Sequence, residues 1–250
     1  MSEKKQWFEK EDFWINYAPI MFDAERWAEA GPVAQSVKKI CNLKEGAKIL
    51  DAGCGPGRIS VELALLGLDV TGVDIIQSEL DAAKEIADDE GVTLNLINHD
   101  LRTFKTQTKF DAAINLYTSF GYCDTEEEDF EILKNICNSL SDGGTFILEC
   151  TSRETAILYF TEGEWFERAG MTCLTQFSVE GAWEGLISKW ILIKEDGTRI
   201  EHQFTQRLYS AAELCKTLIK AGFKEAKAYG DYNLNPYDQN AKTMVLVAKK

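Results

Sequence analysis

The strongest candidate for chemistry in this sequence is a glycine-rich run, D-A-G-C-G-P-G, at residues 51–57. It follows an apolar run typical of a buried strand and precedes a helical pattern at residues 59–66. Glycines allow a tight turn and let a ligand lie against bare backbone, and the start of a helix adds free N–H groups. Asp74 ends the next apolar run, where a carboxylate can accept both hydroxyls of a ribose. The pattern therefore predicts a site for a ligand that contains a nucleoside.

The spacing of the glycines and acids separates two nucleoside cofactors. A dinucleotide fingerprint, G-x-G-x-x-G, counted from Gly53 places Arg58 where close helix–strand contact requires glycine. Asp51, before the first glycine, would also crowd a pyrophosphate. S-adenosylmethionine has no phosphate, and its sulfonium and amine are both positive, so Asp51 would help to bind it. The spacing thus favours S-adenosylmethionine, with Arg58 expected to be a solvated residue in the first turn of the helix.

On these residues the chain resembles the class I S-adenosylmethionine-dependent methyltransferases. The resemblance is carried by residues 51–57, Asp74, Asp100 and residues 110–122, and it resumes at the closing helix and strands. It implies S-adenosylmethionine as the cofactor and S-adenosylhomocysteine as the product. Asp100 alone could be a cap or turn residue, but its place after the third predicted strand favours a role at the adenine. The residues that the resemblance assigns to the cofactor are Gly53, Cys54, Gly55 and Gly57 through their backbone, Asp51 at the amine, Asp74 at the ribose, Ile75 on the adenine, Asp100 and Leu101 at the adenine amino group, and Leu116 and Tyr117 on the sulfonium side.

Short apolar runs alternate with helical patterns through the first part of this region. Such alternation predicts a parallel sheet with helices on both faces. The predicted strands lie at residues 48–51, 68–73, 93–97, 110–114 and 145–149, the helices at 59–66, 78–90 and 126–140, and a turn at 141–144.

Between residues 170 and 207 strand patterns follow one another without helices, which predicts an antiparallel insertion of three or four strands. These patterns lie at residues 171–175, 188–193 and 199–204, with a hairpin signal at 195–197. A helix then begins at the capping pair Ser210 and Glu213 and stops at Gly222, and strands follow at residues 226–229 and 244–248. The predicted fold class is α/β, with a doubly wound, mostly parallel, seven-stranded Rossmann-like sheet.

The first forty residues are predicted to be helical and carry many aromatic side chains. After Pro32, one helical face is predicted to carry Val33, Val37, Ile40 and Cys41. The aromatic stripe either packs this arm onto the body or forms a lid over a pocket, and both can hold at once. The predicted organisation is an N-terminal helical cap at residues 1–45, a cofactor-binding domain at 46–160 and 208–250, and an insertion at 161–207 for acceptor binding or dimerisation.

The acceptor side of the site is predicted mainly from the resemblance. Amino-methylating DNA enzymes carry a Pro-Pro-aromatic signature after the fourth strand, whereas residues 115–119 here are N-L-Y-T-S. The inserted strands resemble those of small-molecule N- and O-methyltransferases, including N,N-dimethyltransferases of amino sugars. In those enzymes the insertion walls the acceptor pocket and often mediates dimers, so a small-molecule acceptor and a homodimer are expected. The predicted substrate contacts are Phe22, Phe120, Tyr122, Arg207, Tyr209 and Tyr232.

Three further residues are candidates for catalysis or for closing the site. Tyr17 resembles the N-terminal tyrosine that closes over the cofactor in several relatives, but an aromatic residue here is equally expected in the core. His202 alternates with Ile200 and Phe204 in a predicted strand, so it is either a general base or a satisfied sheet histidine. Tyr117 is the second catalytic candidate.

The composition disfavours several classes of partner. Lys and Arg number 27 against 41 Asp and Glu, a net charge of −14, which disfavours nucleic acids and anionic membranes. The seven cysteines form no C-x-x-C pair and lack a neighbouring histidine, so a metal site is not expected and reduced thiols are. Because the N-terminus lacks the pattern of a signal peptide, a cytoplasmic protein is expected.

Three functions remain open on the sequence alone. The first is methyl transfer from S-adenosylmethionine to nitrogen or oxygen of a small molecule. The second is a nucleotide-dependent oxidoreductase, which would bind NADH and not S-adenosylmethionine. The third is a non-catalytic cofactor-binding interaction module, which would bind the cofactor without turnover.

Overall fold

The computed structural model describes residues 6–250 and contains two β-sheets. The strands are β1 (Lys48–Ala52), β2 (Asp69–Asp74), β3 (Asn95–Asn98), β4 (Phe110–Asn115), β5 (Leu140–Cys150), β6 (Gly163–Arg168), β7 (Met171–Glu180), β8 (Gly185–Ile193), β9 (Arg199–Arg207), β10 (Glu225–Tyr229) and β11 (Met244–Lys249). The helices are α1 (Glu11–Met21), α2 (Ala24–Ala28), α3 (Ala30–Ile40), α4 (Arg58–Leu65), α5 (Gln77–Asp89), α6 (Glu126–Ser139), α7 (Arg153–Leu158) and α8 (Ala211–Ala221), and a 3₁₀ helix spans Trp7–Glu9.

The larger sheet has the strand order β10-β11-β5-β4-β1-β2-β3. Strands β3, β2, β1, β4 and β5 pair in parallel, and β11 runs antiparallel to both of its neighbours. Two apolar clusters pack the helices on its opposite faces, one with α6 and α8 and the other with α3 and α4. The predicted α/β fold class is confirmed.

The predicted antiparallel insertion forms the second sheet, in the order β6-β7-β8-β9. Helix α1 covers one face of it, because Phe13, Tyr17 and Ile20 pack against Cys173 and Leu192. The aromatic stripe of the N-terminal arm therefore packs onto the insertion.

Four predictions of local structure need correction. Strand β5 begins at Leu140, so residues 141–144 form an irregularity within the strand, where the pairing with β4 shifts register between Phe110 and Ala112. Two elements, β6 and α7, had no predicted counterpart. Strand β6 lies at the edge of its sheet with mostly exposed side chains, so it lacks a strong alternation of polar and apolar residues. Helix α7 has only six residues, too short for a clear period.

The fourth correction concerns α3. This helix begins at Ala30, so Pro32 lies inside its first turn, where a missing N–H costs no hydrogen bond. The predicted face of Val33, Val37, Ile40 and Cys41 does pack on the core, with Ala30 and Ala34 buried beside it. Among residues 6–250, no helix is both long and apolar enough to cross a membrane.

Candidate active site

The glycine-rich run forms the loop between β1 and α4. Gly53, Gly55 and Gly57 all have left-handed backbones, with φ of +80°, +52° and +77°. A Cβ atom on Gly57 would lie 2.7 Å from the Cβ of Ala83, so this glycine allows α4 and α5 to approach. A Cβ on Gly55 would meet the ring of Phe22 only at 3.7 Å. Gly57 therefore serves the packing of the helices, whereas at Gly55 the left-handed backbone, and not close packing, favours glycine.

Hydrogen bonds tie this loop to the end of β2. The N–H groups of Gly53 and Cys54 donate to the carbonyl of Val73 at 2.7 and 3.1 Å. The carboxylate of Asp74 accepts from the N–H of Gly55 at 2.8 Å and from the N–H of Ile76 at 3.0 Å. The structure thus brings together the two motifs that the sequence predicts for the cofactor.

Three carboxylates give the loop a negative environment. Asp51 is 4% exposed and accepts from the hydroxyl of Ser60 at 2.7 Å, and burial raises its pKa to about 6. Burial also raises the pKa of Asp74, against the opposing effect of its backbone hydrogen bonds. Glu79, on the first turn of α5, is 7% exposed, and burial together with Asp74 and Glu11 raises its pKa to about 7.

Such a group of acids fits a cationic ligand. Buried carboxylates that repel one another are stabilised by a positive charge and would oppose a pyrophosphate. In the described part of the chain, the buried Oδ1 of Asn115 has no hydrogen-bond partner, although its Nδ2 donates to the carbonyl of Ala52 at 2.6 Å. A free buried acceptor beside Gly53 suits an ammonium group, so the residues present fit the methionyl end of S-adenosylmethionine.

Asp100, predicted to accept from the adenine, is engaged by an arginine. The guanidinium of Arg102 contacts both oxygens of Asp100, with Nε 2.8 Å from Oδ2, and it also pairs with Glu9 and with Glu128. Arg102 thereby orients Asp100 and links Glu9, in the N-terminal 3₁₀ helix, to the loop after β3. Leu101, also predicted at the adenine, packs against the core, and the neighbouring Ile75 is half-buried.

The turn after β4 is strained and is held by β5. Tyr117 and Thr118 both have left-handed backbones, with φ of +53° and +61°, which is uncommon for residues with a side chain. The carboxylate of Glu149 accepts from the N–H of Tyr117 and from the hydroxyl of Thr243, each at 2.6 Å. Leu116 is buried just before the turn. Glu149 therefore positions the residues predicted to lie on the sulfonium side.

Arg58 lies against this turn, and its predicted solvation is wrong. The residue is 5% exposed, and its guanidinium lies 4.3 Å from the ring centroid of Tyr117 and 5.6 Å from that of Phe22. Nearby, the buried hydroxyl of Tyr232 has no hydrogen-bond partner among residues 6–250. The rings of Tyr117 and Phe22 thus pack against one buried cation.

Three predicted substrate residues are engaged in contacts near the end of β9 and the loop after β4. Arg207 forms an ion pair with Asp129 at 2.5 Å, and the hydroxyl of Tyr209 donates to the same carboxylate at 2.9 Å. The rings of Phe120 and Tyr209 lie 5.8 Å apart. These contacts favour a role for Arg207 and Tyr209 in holding the insertion onto the loop after β4, and their contact with substrate stays a prediction.

Tyr17 and His202 lie between α1 and the antiparallel sheet. The phenol of Tyr17 is fully buried and donates to the carbonyl of Trp190 at 3.2 Å, and its ring stacks on Phe13 at 4.5 Å. The ring of His202 meets the edges of Tyr17 and Phe13, and burial lowers its pKa. These contacts favour the core interpretation of both residues. Tyr122 also belongs to this aromatic group, 5.0 Å from the ring of Trp7.

The sequence interpretation did not include Glu79, Glu149 or the burial of Arg58. Glu79 does carry a signal, because it shares a helical face with Ala83 and Ala87, which are both buried. An acid on an apolar face is a candidate for function. No local pattern indicates Glu149 or the burial of Arg58, since both depend on the turn at Tyr117.

The sheet order, the reversed β11 and the glycine loop at the carboxyl ends of β1 and β2 define a Rossmann-like methyltransferase fold of class I. A family model described as a methyltransferase domain matches residues 43–212, and the chain belongs to this family of S-adenosylmethionine-dependent methyltransferases.

Named relatives show the range of the family. The chain is 25% identical to the cypemycin N-terminal methyltransferase of a Streptomyces species, over 82% of this chain and 84% of the relative. It is 32% identical to the ubiquinone biosynthesis O-methyltransferase of Rickettsia conorii, over 40% of this chain and only 35% of that enzyme's length.

Among solved structures, an S-adenosylmethionine-dependent methyltransferase from Clostridium acetobutylicum has a TM-score of 0.79, with 17% identity over 94% of this chain and 98% of that one. An amino pentose methyltransferase of calicheamicin biosynthesis from Micromonospora echinaspora has a TM-score of 0.70, with 18% identity over 99% and 100% of the two chains. At these identities the likeness shows the fold.

Proposed function

We propose that this enzyme transfers the methyl group of S-adenosylmethionine to a nitrogen or oxygen atom of a small molecule. The observation that carries the proposal is the group of acids around the glycine loop, Asp51, Asp74 and Glu79, which suits a cation and opposes a pyrophosphate. When bound, S-adenosylmethionine supplies a methyl group on a sulfonium sulfur, which takes back the electrons of the broken C–S bond as the acceptor forms its new bond.

The residues of this chain bind and orient the cofactor. The backbone of Gly53, Gly55 and Gly57 forms the surface for the methionyl end, and Asp51 with Asn115 faces the ammonium. Asp74 accepts hydrogen bonds from the ribose hydroxyls, and the bond that it accepts from the N–H of Gly55 holds the glycine loop in place. Asp100, oriented by Arg102, accepts from the adenine amino group, with Ile75 and Leu101 beside the base.

The acceptor approaches from the side of β4 and β5. The antiparallel sheet reaches this side through β9, because the N–H of Arg207 donates to the carbonyl of Gly121 at 2.6 Å and the amide of Gln206 donates to that of Phe120 at 3.2 Å. Tyr232 is the predicted substrate contact with the most direct support, since its buried hydroxyl has no partner in the described chain. These contacts support the proposal that the insertion, residues 161–207, walls the acceptor side.

The charge and the cysteines support two further parts of the proposal. A net charge of −14 supports a small-molecule acceptor over a nucleic acid. All seven cysteines are unpaired, and all but Cys215 are buried, which supports a reducing, cytoplasmic environment.

Calorimetry and a turnover assay test the proposal. The protein should bind S-adenosylmethionine and S-adenosylhomocysteine but not NADH, whereas the opposite preference would establish the oxidoreductase alternative. Formation of S-adenosylhomocysteine should then be measured over a panel of amino sugars, other amines and phenols. Binding without turnover on any acceptor would favour the non-catalytic module. His202→Gln should change turnover little if this residue belongs to the core, and a loss of about 10²–10⁴ would establish it as the general base.

A further inference from the structure

Arg58 carries a buried positive charge beside the cofactor loop. The residue is 5% exposed, directly follows Gly57 and begins α4. The Cζ atom of its guanidinium lies over the ring of Tyr117, 4.3 Å from the centroid. A guanidinium that lies over an aromatic ring can still donate hydrogen bonds through its N–H groups.

This guanidinium lacks an ion-pair partner in the described structure. Its Nη1 donates to the carbonyl oxygen of Arg26, but no carboxylate oxygen of residues 6–250 lies within 4 Å of it. An arginine has five N–H donors and stays charged at every physiological pH. Buried charges are normally paired, because an unpaired one loses its hydration without compensation. Asp51 interacts with Arg58 only at a distance beyond 4 Å, so a directly paired anion is expected to come from a ligand.

The place of Arg58 indicates which ligand group this is. The ring of Phe22 lies against Arg58 and also 3.7 Å from the Cβ position of Gly55, so the guanidinium borders the loop where the methionyl end lies. That end of the cofactor carries an ammonium and a carboxylate. The carboxylate of Asp51 and the unpartnered Oδ1 of Asn115 are acceptors, which suit the ammonium and would repel the carboxylate. Arg58 supplies the opposite charge.

We propose that Arg58 binds the carboxylate of the cofactor's methionyl group, so that tight binding requires this carboxylate to be present and ionised. The inference rests on the proposed function, since it concerns the same cofactor. It deepens that function by naming the residue that recognises the anionic end.

A matched pair of ligands tests this role without relying on turnover. S-adenosylhomocysteine and its carboxamide differ only in whether the carboxylate is charged. The native enzyme should bind the carboxamide about 10- to 150-fold more weakly by calorimetry, the range for a lost charge-assisted bond. Arg58→Met, which keeps a long apolar side chain over Tyr117, should bind both ligands equally, with the affinity for S-adenosylhomocysteine reduced to that of the carboxamide. Arg58→Lys, which keeps the charge without the planar group, should discriminate to an intermediate degree.

Arg26→Met is the matched control. Arg26 also lies near the ring of Tyr117, at 5.9 Å, but its guanidinium is already paired with Glu29 at 3.2 Å. This variant should discriminate between the two ligands as the native enzyme does. Loss of discrimination in Arg26→Met but not in Arg58→Met would overturn the assignment.

The native enzyme alone also decides the question, even where a variant folds poorly. Equal affinity for S-adenosylhomocysteine and its carboxamide would show that no cation recognises the carboxylate. Failure to bind either ligand would instead contradict the cofactor assignment, so the two failures are distinguishable.

Discussion

The carboxylate of Asp74 accepts a hydrogen bond from the backbone N–H of Gly55 at 2.8 Å. This bond joins the end of β2 to the middle of the glycine loop and orients the carboxylate that is proposed to hold the ribose. The same carboxylate accepts from the N–H of Ile76, so it also fixes the start of the segment that leads into α5. One side chain thus serves both the ligand and the shape of its site.

Asp74→Ala should therefore weaken cofactor binding more than it weakens the fold. Loss of charge-assisted bonds to two hydroxyls should cost about 1.5–3 kcal/mol, or roughly 10- to 150-fold in affinity for S-adenosylhomocysteine. Calorimetry gives the dissociation constant and thermal melting the stability. Asp69→Ala, an exposed acid at the other end of β2, is the control and should bind normally. Unchanged affinity in a folded Asp74→Ala protein would remove Asp74 from the site.

The buried carboxylate of Glu79 should destabilise the protein at high pH. Its pKa is raised from 4.5 to about 7 in the folded state, so the folded protein holds the proton more tightly than the unfolded chain. This contribution to stability is full below pH 4.5 and is lost as the pH rises towards 7.

Glu79→Gln removes this dependence on pH. It should be more stable than the native protein by about 1–3 kcal/mol at pH 8, and nearly equal to it at pH 4.5, in urea unfolding. Glu85→Gln, an exposed position on the same helix, should change stability little at either pH. If the two variants changed the free energy of unfolding equally at pH 8, the ionised carboxylate of Glu79 would not be destabilised by burial.

Binding of S-adenosylmethionine should release protons near pH 6. The pKa of Asp51 is about 6 and that of Glu79 about 7, because burial disfavours their charged forms, and a cationic ligand favours those forms. Calorimetry at pH 6 in two buffers of different ionisation enthalpy should give different binding enthalpies, and the difference should shrink as the pH is raised from 6 to 7.5. Glu79→Gln should reduce the number of protons released, whereas equal enthalpies in both buffers at pH 6 would contradict the proposed environment.

Two glycines of the loop should respond differently to substitution. Gly55→Val places a branched side chain on the backbone surface proposed for the methionyl end, so it should abolish binding more completely than Asp74→Ala. Gly57→Ala forces a methyl group to within 2.7 Å of the Cβ of Ala83 and should lower the melting temperature more than Gly55→Ala does. Both residues have positive φ, so a comparable backbone strain enters both measurements. Normal binding by Gly55→Val would show that the loop is not the site.

The parts of the fold that local sequence determines were predicted from it. Helix α8 is an example, because Ser210 caps it in a capping box with Glu213 and Gly222 ends it in a left-handed conformation, as expected. The glycine loop and Asp74 lie at the ends of neighbouring strands, and the topology of a parallel sheet brings such ends together.

What the sequence could not predict depends on contacts between distant segments. Arg58 is buried because Phe22 and Tyr117 pack on it, and neither position is indicated by the pattern around Arg58. The environment of His202 likewise depends on α1 lying over the antiparallel sheet, which no periodicity within β9 indicates.

Arg207→Met tests whether a change in the insertion can lower the stability of the protein without changing its affinity for the cofactor. It leaves the carboxylate of Asp129, whose side chain is 1% exposed, without its cation, and should destabilise the protein by about 2–4 kcal/mol. Arg199→Met, which breaks an exposed pair with Glu201 on the same strand, should cost less than about 1 kcal/mol. The combined variant Asp129→Asn, Arg207→Met should recover part of the loss, because no buried charge then remains unpaired.

Affinity for S-adenosylhomocysteine should stay within a few-fold of native in every folded variant, since the cofactor residues proposed here all lie outside the insertion. A stable Arg207→Met protein that loses the cofactor would instead place Arg207 in the binding site.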